Sequence, residues 1–235
     1  MGNGDYGDFR LSLFQSWQLL CGANRVHVAA RQQRLITALA INGPRPRSYL
    51  VGLLWPEHSE PRALESLRVT VHLITRQVPG LLINGGAVLS LSELADVDLH
   101  RVRSLIQHLS QVGLNGNAAS CLHEIRHAEL LPGWYEDWVI FEQTRLRQDR
   151  LHALLVIARE SLARSDCEVA VEASEAALEL EPLYERAVGL LIQAQRLQGN
   201  NASALRAFEK YQVQLKADMG IAPSETIRGL VAGVR

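Results

Sequence analysis

Between Ser59 and Gly80 the chain carries arginines at a spacing that gathers them on one side of a helix. At about 100° per residue, Leu64, Leu67, Val71, Ile74 and Val78 form one stripe, which must pack on its own domain. The opposite side carries Arg62, Glu65, Ser66, Val69, His72, Leu73 and Arg76. In a DNA major groove an arginine forks onto guanine and an aliphatic group meets a thymine methyl, so Arg62, Ser66, Val69, His72, Leu73 and Arg76 are candidates for base contact. Flanking Arg68 is better placed for phosphate. The competing reading is an ordinary solvated face whose arginines only keep it soluble.

The elements that would position this face can be read from the neighbouring residues. Pro61 suits a helix start after Ser59 and Glu60, which can cap and favour the positive end, and Pro79-Gly80 stops the helix after about five turns. Leu81-Leu82-Ile83 and Ala87 to Leu91 are β-prone runs joined by Asn84-Gly85-Gly86, residues that tolerate positive φ. A helix feeding a hairpin is the order of a recognition helix and its wing. Upstream, Phe9 to Phe14, Trp17 to Cys21 and Arg25 to Val28 read as strands. A helix from Ala29 to Ile41 ends at Asn42-Gly43-Pro44, and Ser48 is expected to cap a short helix through Leu54. Arg31, Arg34, Arg45 and Arg47, on or beside these helices, join Arg68 as candidates for phosphate.

Other patterns tempt less. His123-Glu124-Ile125-Arg126-His127 matches HExxH, in which a helix presents two histidines to zinc and a glutamate to water, but Pro132-Gly133 breaks the chain soon after and no third ligand is set up. It reads as coincidence, so no metal and no cofactor are expected. There is no GxxxxGK phosphate loop and no GxSxG elbow, and only Lys210 and Lys216 could form a Schiff base. Trp134, Tyr135 and Trp138 read as core anchors rather than a stacking platform. The chain is therefore not expected to be an enzyme. Cys21, Cys121 and Cys167 are odd in number and far apart, which implies neither disulfides nor a zinc ribbon and points to the cytoplasm. Residues 1–8 read as a loose polar tail with no secretion signal, and no apolar run is long enough to span a membrane, so no membrane partner is expected.

With 235 residues and 47% hydrophobic composition, the chain can form one or two domains with proper cores. Its net charge of −1 hides an asymmetry: residues 1–92 hold nine arginines against five acids, and residues 93–235 hold 15 basic against 20 acidic residues. A basic half fits phosphate, and an acidic half fits something else. From Leu99 onward strand signals vanish, with breaks expected at 113–117, 131–133, 165–166, 181–182 and 199–200. Compared with itself at a shift of 34, the last part places Leu154 on Val188, Ile157 on Leu191 and Ala170 on Ala204. Ala177, Pro182, Ala204 and Phe208 sit where tetratricopeptide repeats place small, terminating and aromatic residues. Such a stack offers a concave groove for protein; the competing role is to stabilise the first domain or a dimer.

At this point the residues resemble a known group. Leu53-Leu54-Trp55-Pro56-Glu57, with Ser66-Leu67-Arg68, Val71 and Ile74, resembles the OmpR-type winged helix of the Streptomyces antibiotic regulatory protein (SARP) family. Asp96-Val97-Asp98 opening a helical region, the run from Leu131 to Val139, and the run from Leu215 to Ser224 resemble the bacterial transcriptional activator domain. Two departures stand out: Thr75 where relatives usually place an arginine, and a wing from Leu81 to Leu91 with no basic residue. The expected fold is mainly α with a small β part. A winged helix-turn-helix domain over residues 9–92 precedes an all-α, tetratricopeptide-like activator domain over residues 96–235. The resemblance implies a transcriptional activator that binds direct repeats in double-stranded DNA as a homodimer and contacts RNA polymerase. The alternative is an interaction adaptor whose winged helix no longer binds DNA.

Overall fold

The computed structural model describes residues 9–233, and the tail expected over residues 1–8 lies outside them. The described residues fall into two compact units, one of residues 9–101 with 129–143 and one of residues 102–128 with 144–233. The chain is mainly helical, with its β part toward the N-terminus.

The first unit opens with β1 (Phe9–Ser12), β2 (Gln18–Cys21) and β3 (Asn24–Arg25), followed by α1 (Ala30–Asn42), β4 (Arg45–Pro46), α2 (Arg47–Leu54) and α3 (Glu60–Gln77). Then come β5 (Leu82–Gly85), β6 (Val88–Leu91) and β7 (Ala95–Val97). In β1, Phe9 and Leu11 are buried while Arg10 is exposed, the alternation of a half-covered strand. The first sheet has the order β3-β2-β1-β7, with β7 parallel to β1 and Leu11 opposite Val97. Asp96 and Val97 therefore end a strand, and the helical region begins at Asp98, two residues later than the sequence reading has it, because Val97 is buried in register beside Leu11.

A second sheet has the order β4-β6-β5, so the wing hairpin has a third strand. Gly85 pairs with Val88, which moves the tight turn to Gly86-Ala87, with Gly86 at φ 75°. Pairing of Arg45 and Pro46 with β6 holds the chain extended up to Pro46, and α2 begins directly after it. Ser48 is therefore inside the helix and not its cap: Pro46 stands at the N-cap with φ −61°. Ser59 does occupy the N-cap of α3, but its side chain makes no capping hydrogen bond.

After β7 the chain forms α4 (Asp98–Val112), α5 (Ala118–Arg126), α6 (Asp137–Ala163), α7 (Cys167–Leu180), α8 (Glu185–Leu197), α9 (Asn201–Met219) and α10 (Glu225–Val231). At the start of α4 the Asp98 carboxylate accepts from Leu13 N at 2.9 Å, Phe14 N at 3.1 Å and Leu99 N at 2.7 Å. These donors have no strand or helix partner, and a carboxylate there also complements the positive helix end. Residues 129–143 complete the unit: Leu131 N donates to Leu13 O at 2.8 Å, Gln15 N to Glu129 O at 3.0 Å, and Gln143 Nε2 to Leu130 O and Leu131 O at 3.0 Å. Trp134 and Trp138 are half-buried there, but Tyr135 is 81% exposed and anchors nothing.

In the second unit the 34-residue shift extends to the hydrogen bonds. Asp166 and Asn200 cap α7 and α9, each accepting from the backbone three residues on, at Val169 N and Ser203 N. Each is preceded by a left-handed residue, Ser165 or Gly199, and each donates its own N–H back to Ser161 O or Gln195 O. Ala170 and Ala204 are fully buried. The core of the last helices gathers Val188, Ile192, Tyr211, Leu215 and Ile227, and Gly189 lets α10 approach α8, since a Cβ there would lie 3.1 Å from Ile227 Cδ1.

Two outcomes follow from this packing. Asp98→Ala leaves three backbone donors without their charged acceptor and is expected to lower stability by about 1.5–3 kcal/mol, read from urea unfolding. Tyr211 donates its hydroxyl to Glu185 Oε2 at 2.9 Å, and burial together with that carboxylate pushes its pKa up to about 12. The raised value gives stability that is full below the ordinary tyrosine range and lost as pH rises through about 12. Tyr211→Phe is expected to remove this part of the alkaline loss of stability, measured by unfolding between about pH 9 and 12.

Candidate nucleic-acid interface

The two sides of α3 differ as the periodicity requires. Ala63, Leu67, Thr70, Val71 and Ile74 are buried, while Arg62, Val69, His72, Leu73 and Arg76 are exposed. Ser66 is half-buried, and its carbonyl accepts the Thr70 hydroxyl at 2.7 Å. Val69 and Leu73 are 49% and 45% exposed, so the outer face of this helix carries aliphatic side chains among its arginines. Arg62 and Arg76 lie about 21 Å apart along the axis at 1.5 Å per residue, with the aliphatic pair between them. This surface offers guanidinium forks at two ends and methyl groups in the middle. Thr75 is exposed next to Arg76.

The orientation of α3 is held by polar side chains as well as by its apolar stripe. Gln32 on α1 donates to Gln77 Oε1 at 3.1 Å, and Gln77 in turn donates to His27 O. Gln32 also accepts from Ala29 N at 2.7 Å, closing the start of α1.

The five arginines expected at phosphates occupy different surroundings. Arg31 is exposed near the start of α1, on a hollow of about 350 Å³ shared with Leu54, Trp55, Pro56 and His58. Arg34, on the same hollow, is half-buried with its Nε 3.1 Å from Glu136 Oε1, so part of its charge is offset within the unit. Arg45 lies over the Tyr49 ring at 5.3 Å and donates to Pro44 O at 3.1 Å. Arg68 pairs with Glu65 at 3.1 Å on the open surface, where such a pair is worth little.

Arg47 has the arrangement that sequence reasoning missed. Its Nε donates to Gly86 O at 2.8 Å and its Nη2 to Asn84 Oδ1 at 3.0 Å, while its backbone N–H donates to Ala87 O at 3.0 Å. The wing has no basic residue of its own, yet a guanidinium is fixed at its tip by two hydrogen bonds. No local signal marks this, because the partners are 37 and 39 residues away in the chain.

The HExxH residues lie elsewhere, in the second unit. His123 and Glu124 are exposed on α5, and His127 stands beyond the last helical residue, its ring 4.9 Å from that of His123 in an edge-on arrangement. Among the described residues no group of three or more His, Cys, Asp or Glu is placed to hold a metal. Burial, with the Glu124 charge adding to it, pushes the Cys121 thiol above its ordinary pKa, the opposite of an activated nucleophile. No helix among the described residues is long and apolar enough to cross a membrane.

The sequence pattern of the bacterial transcriptional activator domain matches residues 115–235. Among solved structures the chain is similar to Mycobacterium tuberculosis EmbR in complex with a low-affinity phosphopeptide, with a TM-score of 0.71 and 20% identity over 97% of this chain. The chain spans 65% of the length of that structure, and at such identity the likeness establishes the fold. No curated protein matches the chain in sequence.

Arg47→Ala removes both side-chain donors from the wing turn. It is expected to speed amide hydrogen exchange across residues 84–88 at least several-fold while leaving exchange in the buried part of α3 unchanged, an outcome that hydrogen-exchange mass spectrometry can resolve.

Proposed function

This chain belongs to the bacterial transcriptional activator domain family of transcriptional regulators, and on that premise we propose that it binds a specific sequence of double-stranded DNA through its winged unit. In this reading α3 enters the major groove. Arg62 and Arg76 hydrogen-bond guanines, Val69 and Leu73 meet thymine methyls, and Ser66 and His72 contact base edges between them. Arg31, Arg45, Arg47 and Arg68 contact phosphates and set the register, and Arg34 adds the charge left over from Glu136. The observation that carries the proposal is the exposed face of α3, where two aliphatic side chains stand between two arginines beside a hairpin with a guanidinium fixed at its tip.

The regulator acts as an activator in the cytoplasm, binding direct repeats as paired protomers and contacting RNA polymerase. The family membership and the resemblance to SARP regulators support these finer points. An adaptor that has lost DNA binding is the competing reading, favoured by the absence of a basic residue in the wing.

Selection of genomic fragments on the purified protein, followed by titration at several salt concentrations, decides between them. The regulator should enrich a repeated motif, bind it at least about a thousandfold tighter than a scrambled duplex, and weaken steeply with salt. Binding no better than to the scramble rules the regulator out. On the selected site Arg76→Ala is expected to cost about 1–3 kcal/mol and to cost little on random DNA. An equal loss on both makes Arg76 a phosphate contact.

A further inference from the structure

In the second unit α8 packs against both α7 and α9, and the three helices line a groove of about 600 Å³. The α9 side runs from Ser203 to Gln214, about 16 Å at 1.5 Å per residue, which is the span of about five residues of extended chain. Leu178, Val188, Leu191 and Ala207 supply apolar lining. The charges are unevenly satisfied. Glu179 is paired with Arg126, while Glu175 on the α7 wall and Arg206 and Lys210 on the α9 wall have no ion-pair partner among the described residues, so the free positive charge gathers on α9.

Gln195 adds an independent observation. It lines the groove, it is only 8% exposed, and its Oε1 is buried with no hydrogen-bond partner. A buried carbonyl oxygen without a donor is costly, and folded proteins leave few such groups unsatisfied. Neighbouring polar groups of the core do have partners: Tyr211 and Ser224 both donate to Glu185.

We propose that this groove binds an extended peptide segment of a partner protein, one that carries a carboxylate beside aliphatic side chains. A backbone N–H of the peptide meets Gln195 Oε1, the carboxylate pairs with Lys210 and Arg206, and the aliphatic groups cover Leu178 and Leu191. An extended segment suits this site because its backbone supplies donors along the whole length of a groove whose walls are otherwise side chains. The proposal does not rest on DNA binding by α3 and concerns a different unit.

The test uses the full chain and random dodecapeptides displayed on phage. Selection is expected to enrich sequences with Asp or Glu next to Leu, Ile or Val. Fluorescein-labelled copies of these peptides should lose at least about tenfold in affinity for Lys210→Glu and for Gln195→Leu, an amount of about 1.4 kcal/mol. Both variants should melt at the parent temperature or above it, since Lys210 is exposed and Gln195→Leu removes an unsatisfied acceptor. A peptide with Lys in place of its acidic residue should regain binding to Lys210→Glu, a rescue that a merely unfolded variant cannot show. No enrichment, enriched peptides without an acidic residue, or affinity indifferent to Lys210→Glu overturns the proposal. So does a mass in sedimentation that falls on Lys210→Glu, which would make the occupant a second copy of this chain. DNA binding by these variants should match the parent, so failure here is separable from failure of the DNA reading.

Discussion

The first unit is organised around one carboxylate. Where β1 ends, the N–H groups of Leu13 and Phe14 leave the ladder, and the Asp98 side chain takes both while also accepting from the first turn of α4. One anion thus satisfies three donors and fixes the corner at which the sheet gives way to helix. Leu13 spends its carbonyl on Leu131 N in the same corner, so the later segment is tied to the same residue. From the sheet the order passes on through polar contacts: Trp17 Nε1 donates to Thr37 Oγ1 on α1 at 3.0 Å, and Gln32 on α1 holds Gln77 at the end of α3. The face of α3 that meets solvent is set by this series as much as by its apolar stripe.

That face works by contrast. A surface helix usually keeps Val and Leu inside, because each exposed methylene forgoes about 0.8 kcal/mol of burial. Exposing Val69 and Leu73 between arginines makes sense where another surface covers them. The positive charge around α3 is likewise arranged rather than abundant. Arg34 is partly offset by Glu136 and Arg68 by Glu65, while Arg47 is immobilised against the wing turn. A guanidinium held by two hydrogen bonds keeps little freedom to lose, so an anion that met it would cost less side-chain entropy than one met by a loose arginine.

Strong periodicity made part of this legible. The two sides of α3 follow from a five-turn pattern in which every third or fourth residue is apolar, and buried Leu67, Val71 and Ile74 match it. The 34-residue repeat was legible for the same reason, since Ala170 and Ala204 occupy equivalent sites. Short elements were not. β4 has two residues and one of them is Pro46, which reads as a break although an edge strand tolerates it; β7 has three, too few for alternation. Asn84-Gly85-Gly86 signals a turn without fixing which residues turn, and the pairing of Gly85 with Val88 decided it. The aromatic run at Trp134 suggests burial for all its members, yet Tyr135 faces out from the irregular stretch that precedes α6, where no helical or strand period assigns it a side. Within the candidate interface, the role of Arg47 depends on Asn84 and Gly86, which no local pattern connects to it.

The winged unit is discontinuous along the chain: residues 129–143 belong to it, and the activator pattern that matches from residue 115 onward begins before that segment. During synthesis, therefore, the winged unit cannot close when its last wing strand leaves the ribosome. Its corner waits for Glu129, Leu130, Leu131 and Gln143, and by then α4 and α5 have already emerged. Domains generally fold as units in N-to-C order as they are made. Here the order is interleaved, which couples completion of the winged unit to translation well into the activator segment. A ribosome that stops early releases a chain whose sheet corner is unfinished.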